Sequence, residues 1–273
     1  MDGSRRKNAE LVCSGAAMPW AQHGSSAPLM PASMTFGLPF MGLGGASRRR
    51  SAPFASVSAG ALAPPKLFAT PKVEPATGID YPDNLCVITK NHCPGLAGVG
   101  VRAKRVLGLK NINVYALGLY VDAHGAKKAL GKWKGSSSDT LLTNQAAFDA
   151  ITTAESFERS LRLVISFGSL KRAQFVNALE ERLAPPLNKA GKSDVMKSFE
   201  RLFDGASFKK GTAIDFSASG KGKLVTKIDG QQVGTIESPE LVKALFDIYL
   251  GSDAVSADAK ASFAQGLSSL LQE

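Results

Sequence analysis

Two side chains in the stretch Leu96–Val121, LAGVGVRAKRVLGLKNINVYALGLYV, are equipped to grip an anion together: the guanidinium of Arg102 and the phenol of Tyr115. An arginine keeps its charge at neutral pH, so in apolar surroundings it needs a counter-anion or water. Its planar fork matches a carboxylate, and a neighbouring phenol adds a charge-assisted hydrogen bond. Both residues also admit structural roles. The arginine can pair with a protein carboxylate or lie at a wet strand edge, and the tyrosine can sit in a core with its hydroxyl satisfied.

Whether the two meet is a question of register. Val99, Val101 and Val106 read as one strand, and Ile112, Val114, Tyr115, Leu117, Leu119, Tyr120 and Val121 as another. The second run is apolar at odd and even positions alike, as in a strand buried on both faces. Gly108-Leu109-Lys110-Asn111 supplies turn chemistry between them and predicts a hairpin. With an even-length loop, cross-strand partners have numbers summing to an odd value, as 102 and 115 do. Both side chains then share one face, and a loop centred on Gly108 and Leu109 sets them directly opposite.

The elements that must position this pair alternate in type. Short helices are expected over Ala123–Lys134 and Thr140–Ile151, and a strand over Ser160–Phe167, where Leu161, Leu163 and Ile165 alternate with Arg162, Val164 and Ser166. Helical spacing follows over Leu170–Leu183, ended by Pro185-Pro186, and over Val195–Phe203. A meander comes next, Thr212–Ser217, Lys223–Ile228 and Gln232–Ile236, with turns at Ser219-Gly220 and Asp229-Gly230. Ser238-Pro239-Glu240 opens a helix with an N-cap and an N1 proline, and a last helix begins near Ser256. Hairpins and a meander with inserted helices imply an α+β fold with an antiparallel sheet.

On these residues the chain resembles the chalcone isomerase fold family, and within it the plastid, non-catalytic branch of fatty-acid-binding proteins. The resemblance runs from about Pro75 to the C-terminus. It is carried by GVGVRAKRVLGLKNINVYALGLYVD, by RLVISFGSLKRAQFVNALEERL (Arg162–Leu183), by KGTAIDFSASGKGKLVTKIDGQQVGTIE and by PELVKALFDIYLGSDAVSADAKASFAQGL. It implies a chalcone isomerase-like fold, an antiparallel sheet packed against a layer of helices. It implies a ligand-facing arginine at Arg102. At Tyr115 it implies the tyrosine of the fatty-acid-binding branch, where the catalytic isomerases carry a threonine that polarises the substrate. The catalytic Tyr and Asn of the isomerases fall at Lys171 and Ala178. With all three groups replaced, the resemblance implies a binder and not an enzyme. The ligand it implies is a free saturated fatty acid such as laurate, myristate or palmitate, held without a cofactor. Ile165, Phe167, Phe175 and Leu179 are candidates to line a channel for the tail in an internal cavity. A third polar contact of that branch, a small hydroxyl, falls on Arg182, a departure from its pattern. The alternatives are an active chalcone isomerase, closing chalcone to flavanone, and a non-catalytic enhancer of flavonoid synthesis.

Residues 1–70 read differently from the rest. They hold seven basic residues against two acidic ones, with none acidic between Glu10 and Glu74, and are rich in Ala, Ser, Pro and Gly around Arg48, Arg49 and Arg50. That composition predicts an organelle transit peptide, hence a chloroplast stromal location, with the binding domain over 75–273. Because this segment carries half of the net charge of +10, the overall basicity does not point to nucleic acid. No run approaches the roughly 20 apolar residues that span a bilayer. Gly98-x-Gly100-x-x-Ala103 matches the loosest dinucleotide pattern, but strand instead of helix follows it. Cys86, His92 and Cys93 lack a fourth ligand for zinc, and the two cysteines are expected as reduced thiols, with a redox-labile bridge as the alternative.

Overall fold

The computed structural model describes residues 72–106 and 110–273. The expected leader therefore lies outside the described residues, as do Gly108 and Leu109 of the expected turn. A small hairpin, β1 (Lys72–Glu74) with β2 (Ile79–Tyr81), leads into one six-stranded sheet. Its strands are β3 (Gly95–Val106), β4 (Lys110–Val121), β5 (Arg159–Ile165), β6 (Ala213–Ser219), β7 (Lys223–Ile228) and β8 (Gln231–Glu237). They lie side by side in chain order, every neighbouring pair antiparallel. The helices are α1 (Ala123–Ala129), α2 (Ser138–Thr143), α3 (Gln145–Thr152), α4 (Arg172–Lys189), α5 (Ser193–Arg201), α6 (Pro239–Leu250) and α7 (Ala257–Gln272). The α+β antiparallel architecture expected from the sequence is the one found.

The period of two sorts the sheet's side chains onto unlike faces. Leu117, Leu119, Leu161, Leu163, Ile165, Ile214 and Phe216 point to the helix layer and form the main core with α3, α4, α6 and α7. On the opposite face Val99, Ala116, Tyr120, Val164 and Val225 are covered by Tyr81, Leu85 and Val87 of the entering segment. Strand β4 is buried on both faces over Tyr115–Val121, as its unbroken apolar run predicts. The β7–β8 turn uses Asp229-Gly230, with φ of 48° and 78°, the conformation that makes this dipeptide a hairpin former.

Glycine explains how α7 seats on the sheet. A Cβ at Gly98 would lie 2.7 Å from the backbone oxygen of Ser262, and one at Gly100 would overlap Ala259. Both glycines thus clear a bed for α7 on β3, which accounts for the G-x-G spacing without any nucleotide.

Three expectations are corrected. The single helix expected over Thr140–Ile151 is two, α2 and α3, broken at Asn144, which adopts an extended ψ of 91°. Helix α4 does not end at Pro185-Pro186 but runs to Lys189. Both prolines lie on its exposed face, so the carbonyls they strip of partners face water, while Leu183 and Leu187 stay packed beneath. Cys86 and Cys93 are not reduced thiols but a disulfide with Cα atoms 4.6 Å apart. The short, turn-rich segment between them folds back on itself and is tied to β5, because Glu158 accepts from the backbone N–H groups of Ile88 and Thr89.

Candidate functional site

Arg102 and Tyr115 are direct cross-strand partners. The route to that pairing is not the one expected. Val106 pairs with Lys110, so the strands are joined by an odd-length loop of three residues, a register that would set Arg102 against Val114. A β-bulge corrects it: Ala103 pairs with Asn113, Arg102 with Tyr115, and Val114 is left over. The carbonyl of the bulged Val114 accepts instead from the N–H groups of Ser166 and Phe167, just beyond β5.

The pair sits under the chain that joins α6 to α7. Arg102 is half-buried beside Gly100, and its Nη1 donates to the backbone oxygen of Val255 at 2.6 Å. Among the described residues no carboxylate forms an ion pair with it. Tyr115 is 8% exposed, and its hydroxyl meets that of Tyr249, on α6, at 3.1 Å. Burial pushes both phenols up, Tyr249 well up, and the Arg102 charge opposes the rise in each. The site therefore presents one guanidinium and two neutral hydroxyls, with no acidic group paired to the guanidinium among the described residues. That is the donor set for a single carboxylate.

Apolar groups adjoin the polar cluster. Ile165 is the β5 partner of Tyr115. Phe175 of α4 packs edge-on against Tyr115 with ring centres 6.2 Å apart, and against Phe203 and Phe208 beyond. Of the expected tail-lining residues, Ile165, Phe175 and Leu179 are closed into this core and Phe167 is half-buried. Two surface clefts, of about 360 and 220 Å³, are lined by other residues and not by Arg102 or Tyr115.

Arg182 is not brought to the pair. It lies on the exposed side of α4 and ion-pairs with Asp253 at 2.5 Å, on the wall of the larger cleft. Even so, it grips the same connection as Arg102. Between Gly251 and Val255 that loop is held by Lys260 on the Gly251 oxygen at 2.9 Å, by Arg182 on Asp253, and by Arg102 on Val255. Lys171 caps α4 and Ala178 lies on its outer surface, both exposed and away from Phe175 and Leu179, which face the sheet. Sequence reasoning missed Tyr249 and the 251–255 loop. Tyr249 sits within an apolar helical run, ALFDIYL, where a core role is the ordinary reading, and nothing local signals a partner 134 residues away.

Comparison with known proteins bears on this geometry. The family model for chalcone-flavanone isomerase matches residues 71–270. The chain therefore belongs to that family. Among its relatives is a fatty-acid-binding protein 1 of Arabidopsis thaliana, 32% identical over 203 residues, covering 72% of this chain and 71% of the relative. A chalcone–flavanone isomerase of Oryza sativa is 28% identical over 209 residues, covering 71% and 88%. The crystal structure of an Arabidopsis thaliana fatty-acid binding protein superposes with a TM-score of 0.65 at 30% identity, covering 74% of this chain and all of the other. The fold is the chalcone isomerase-like one.

Proposed function

We propose that this chain binds free saturated fatty acids without catalysing their conversion, and that it works in the plastid stroma after loss of the segment 1–70. The observation that carries the reading is the cross-strand pairing of Arg102 with Tyr115, a guanidinium without an acidic partner beside a buried neutral phenol. The fatty acid's carboxylate takes the place of the Val255 carbonyl on Arg102 and accepts from the Tyr115 hydroxyl. Tyr249 fixes the rotation of that hydroxyl. The tail enters between the sheet and α4 along Ile165, Phe175 and Leu179, and the edge-on aromatic packing opens to admit it. Each methylene buried contributes about 0.8 kcal/mol, so the tail supplies most of the affinity and the polar end its direction.

Relatives named for fatty-acid binding support this reading. Native mass spectrometry of the purified chain tests it. A co-purifying adduct with the mass of a saturated fatty acid is expected. A flavonoid adduct, or turnover of a chalcone by the purified protein, overturns it in favour of the isomerase or enhancer.

A further inference from the structure

A second arginine on the helix side of the sheet has no carboxylate ion-pair partner among the described residues. Arg159, the first residue of β5, pairs across the sheet with Val121, at the far end of β4 from Tyr115. Six residues of strand separate the two positions, about 20 Å at 3.3 Å per residue. Arg159 is only 2% exposed. Its Nη2 donates to the Thr152 oxygen at 2.8 Å, and its carbon centre lies 5.2 Å from the middle of the Phe246 ring. Nε and Nη1 have no hydrogen-bond partner among the described residues. Burial brings its pKa down to about 10, against a smaller opposing pull from Glu155, so the group is still charged at neutral pH.

Three residues along the same strand, the half-buried Arg162 gives the contrast of a guanidinium with a full carboxylate partner. It faces the other side of the sheet and holds Asp215 through two hydrogen bonds of 2.7 and 2.8 Å. A buried cation without such a partner costs several kcal/mol, a cost that an apolar side chain at the same position would not carry. Arg159 instead lines a cleft of about 220 Å³, together with Thr152, Gly222, Val242 and the start of α6 at Pro239. The N-terminal end of that 12-residue helix adds positive potential to the cleft. Glu155 and Glu240 stand on its lining as well, and Lys243 is already paired with Asp247.

We propose that this cleft is a second ligand site, for a small monocarboxylate whose anionic group meets the unpartnered N–H groups of Arg159. The two glutamates select a single negative charge and oppose a phosphate dianion. A cleft of this size, bounded by threonines, a glycine turn and a helix start, takes a short chain and not a fatty acid. The site is independent of the Arg102–Tyr115 pair.

The test is an NMR titration of the arginine Nε–H resonances of the whole chain with sodium propionate, at constant ionic strength, with chloride and inorganic phosphate as comparison probes. The Arg159 resonance, identified by its absence from Arg159→Lys, is expected to shift saturably with propionate and far less with phosphate. The Glu155→Gln and Glu240→Gln variants, both at the cleft lining, are each expected to tighten propionate roughly threefold by removing like-charge repulsion. Arg102→Ala is expected to leave the Arg159 response unchanged. The proposal is overturned if Arg159 does not respond, if chloride or phosphate matches propionate, if the glutamate variants fail to tighten binding, or if Arg102→Ala abolishes the response.

Discussion

At the scale of single residues, the site rests on two hydroxyls that satisfy one another. Tyr115 and Tyr249 share one hydrogen bond inside the core, and removing either oxygen leaves the other buried without its partner. Tyr249→Phe is expected to lower stability by about 1 kcal/mol, and Tyr115→Phe by a similar amount. The double variant loses less than the sum, because the interaction disappears only once. Urea unfolding of the four proteins measures the coupling, and strict additivity would show that the hydroxyls do not interact. The Arg102–Tyr115 pair was named from the sequence on a parity that assumed an even-length loop; the loop is odd, and the pairing holds because a bulge shifts the register by one. Tyr249 was not named, because its contact is set by how α6 crosses the sheet, and residue type alone does not encode that crossing.

Among the elements, the close seating of α7 on β3 sets the surroundings of Arg102. Gly98 and Gly100 let the helix descend onto the strand, so that the chain entering it brings the Val255 oxygen down onto Arg102, on the same face two residues further on. Gly100→Val places a branched side chain where Ala259 lies and is expected to cost about 1–3 kcal/mol through overpacking. It also lifts the 251–255 loop away from Arg102. A thermal melt checks the first effect, and an unchanged melting temperature would contradict the described seating. Here the sequence was read for the wrong reason: the glycine spacing was recognised as unsuited to a nucleotide, but its purpose needed the helix from 160 residues later in the chain. The continuation of α4 through Pro185-Pro186 was likewise hidden. Proline's local penalty is offset where the orphaned carbonyls face water and Leu183 and Leu187 remain packed. The bulge at Val114 was also invisible, and it is what rescues the pairing from an odd-length loop.

Over the whole molecule, one sheet serves two unlike layers, and every one of the chain's four tyrosines lies between them and their coverings. Tyr115 and Tyr249 belong to the helix side, Tyr81 and Tyr120 to the side covered by the entering segment. Burial is the first cause of a raised phenol pKa in all four. The unfolded chain releases these protons near pH 10, whereas the folded chain holds them. The native state therefore binds more protons above pH 10, and stability that is complete below that value declines as pH rises further. Absorbance at 295 nm should show no tyrosinate at pH 10 in the folded protein, followed by a concerted rise on alkaline unfolding. A normal tyrosine titration in a folded chain would contradict the burial described. Meander topology and the α+β class were readable because hairpin turns and period-two alternation are local signals, whereas the packing of the sheet against its helices was implied only by the family resemblance.

The claim on which the function turns is that Arg102 anchors a carboxylate. Calorimetric titration of laurate into the native chain and into Arg102→Ala, with folding of both checked by circular dichroism, measures it directly. The variant should lose at least about 2 kcal/mol, a weakening of roughly thirtyfold. Equal affinity in a folded Arg102→Ala would place the headgroup elsewhere and contradict the account.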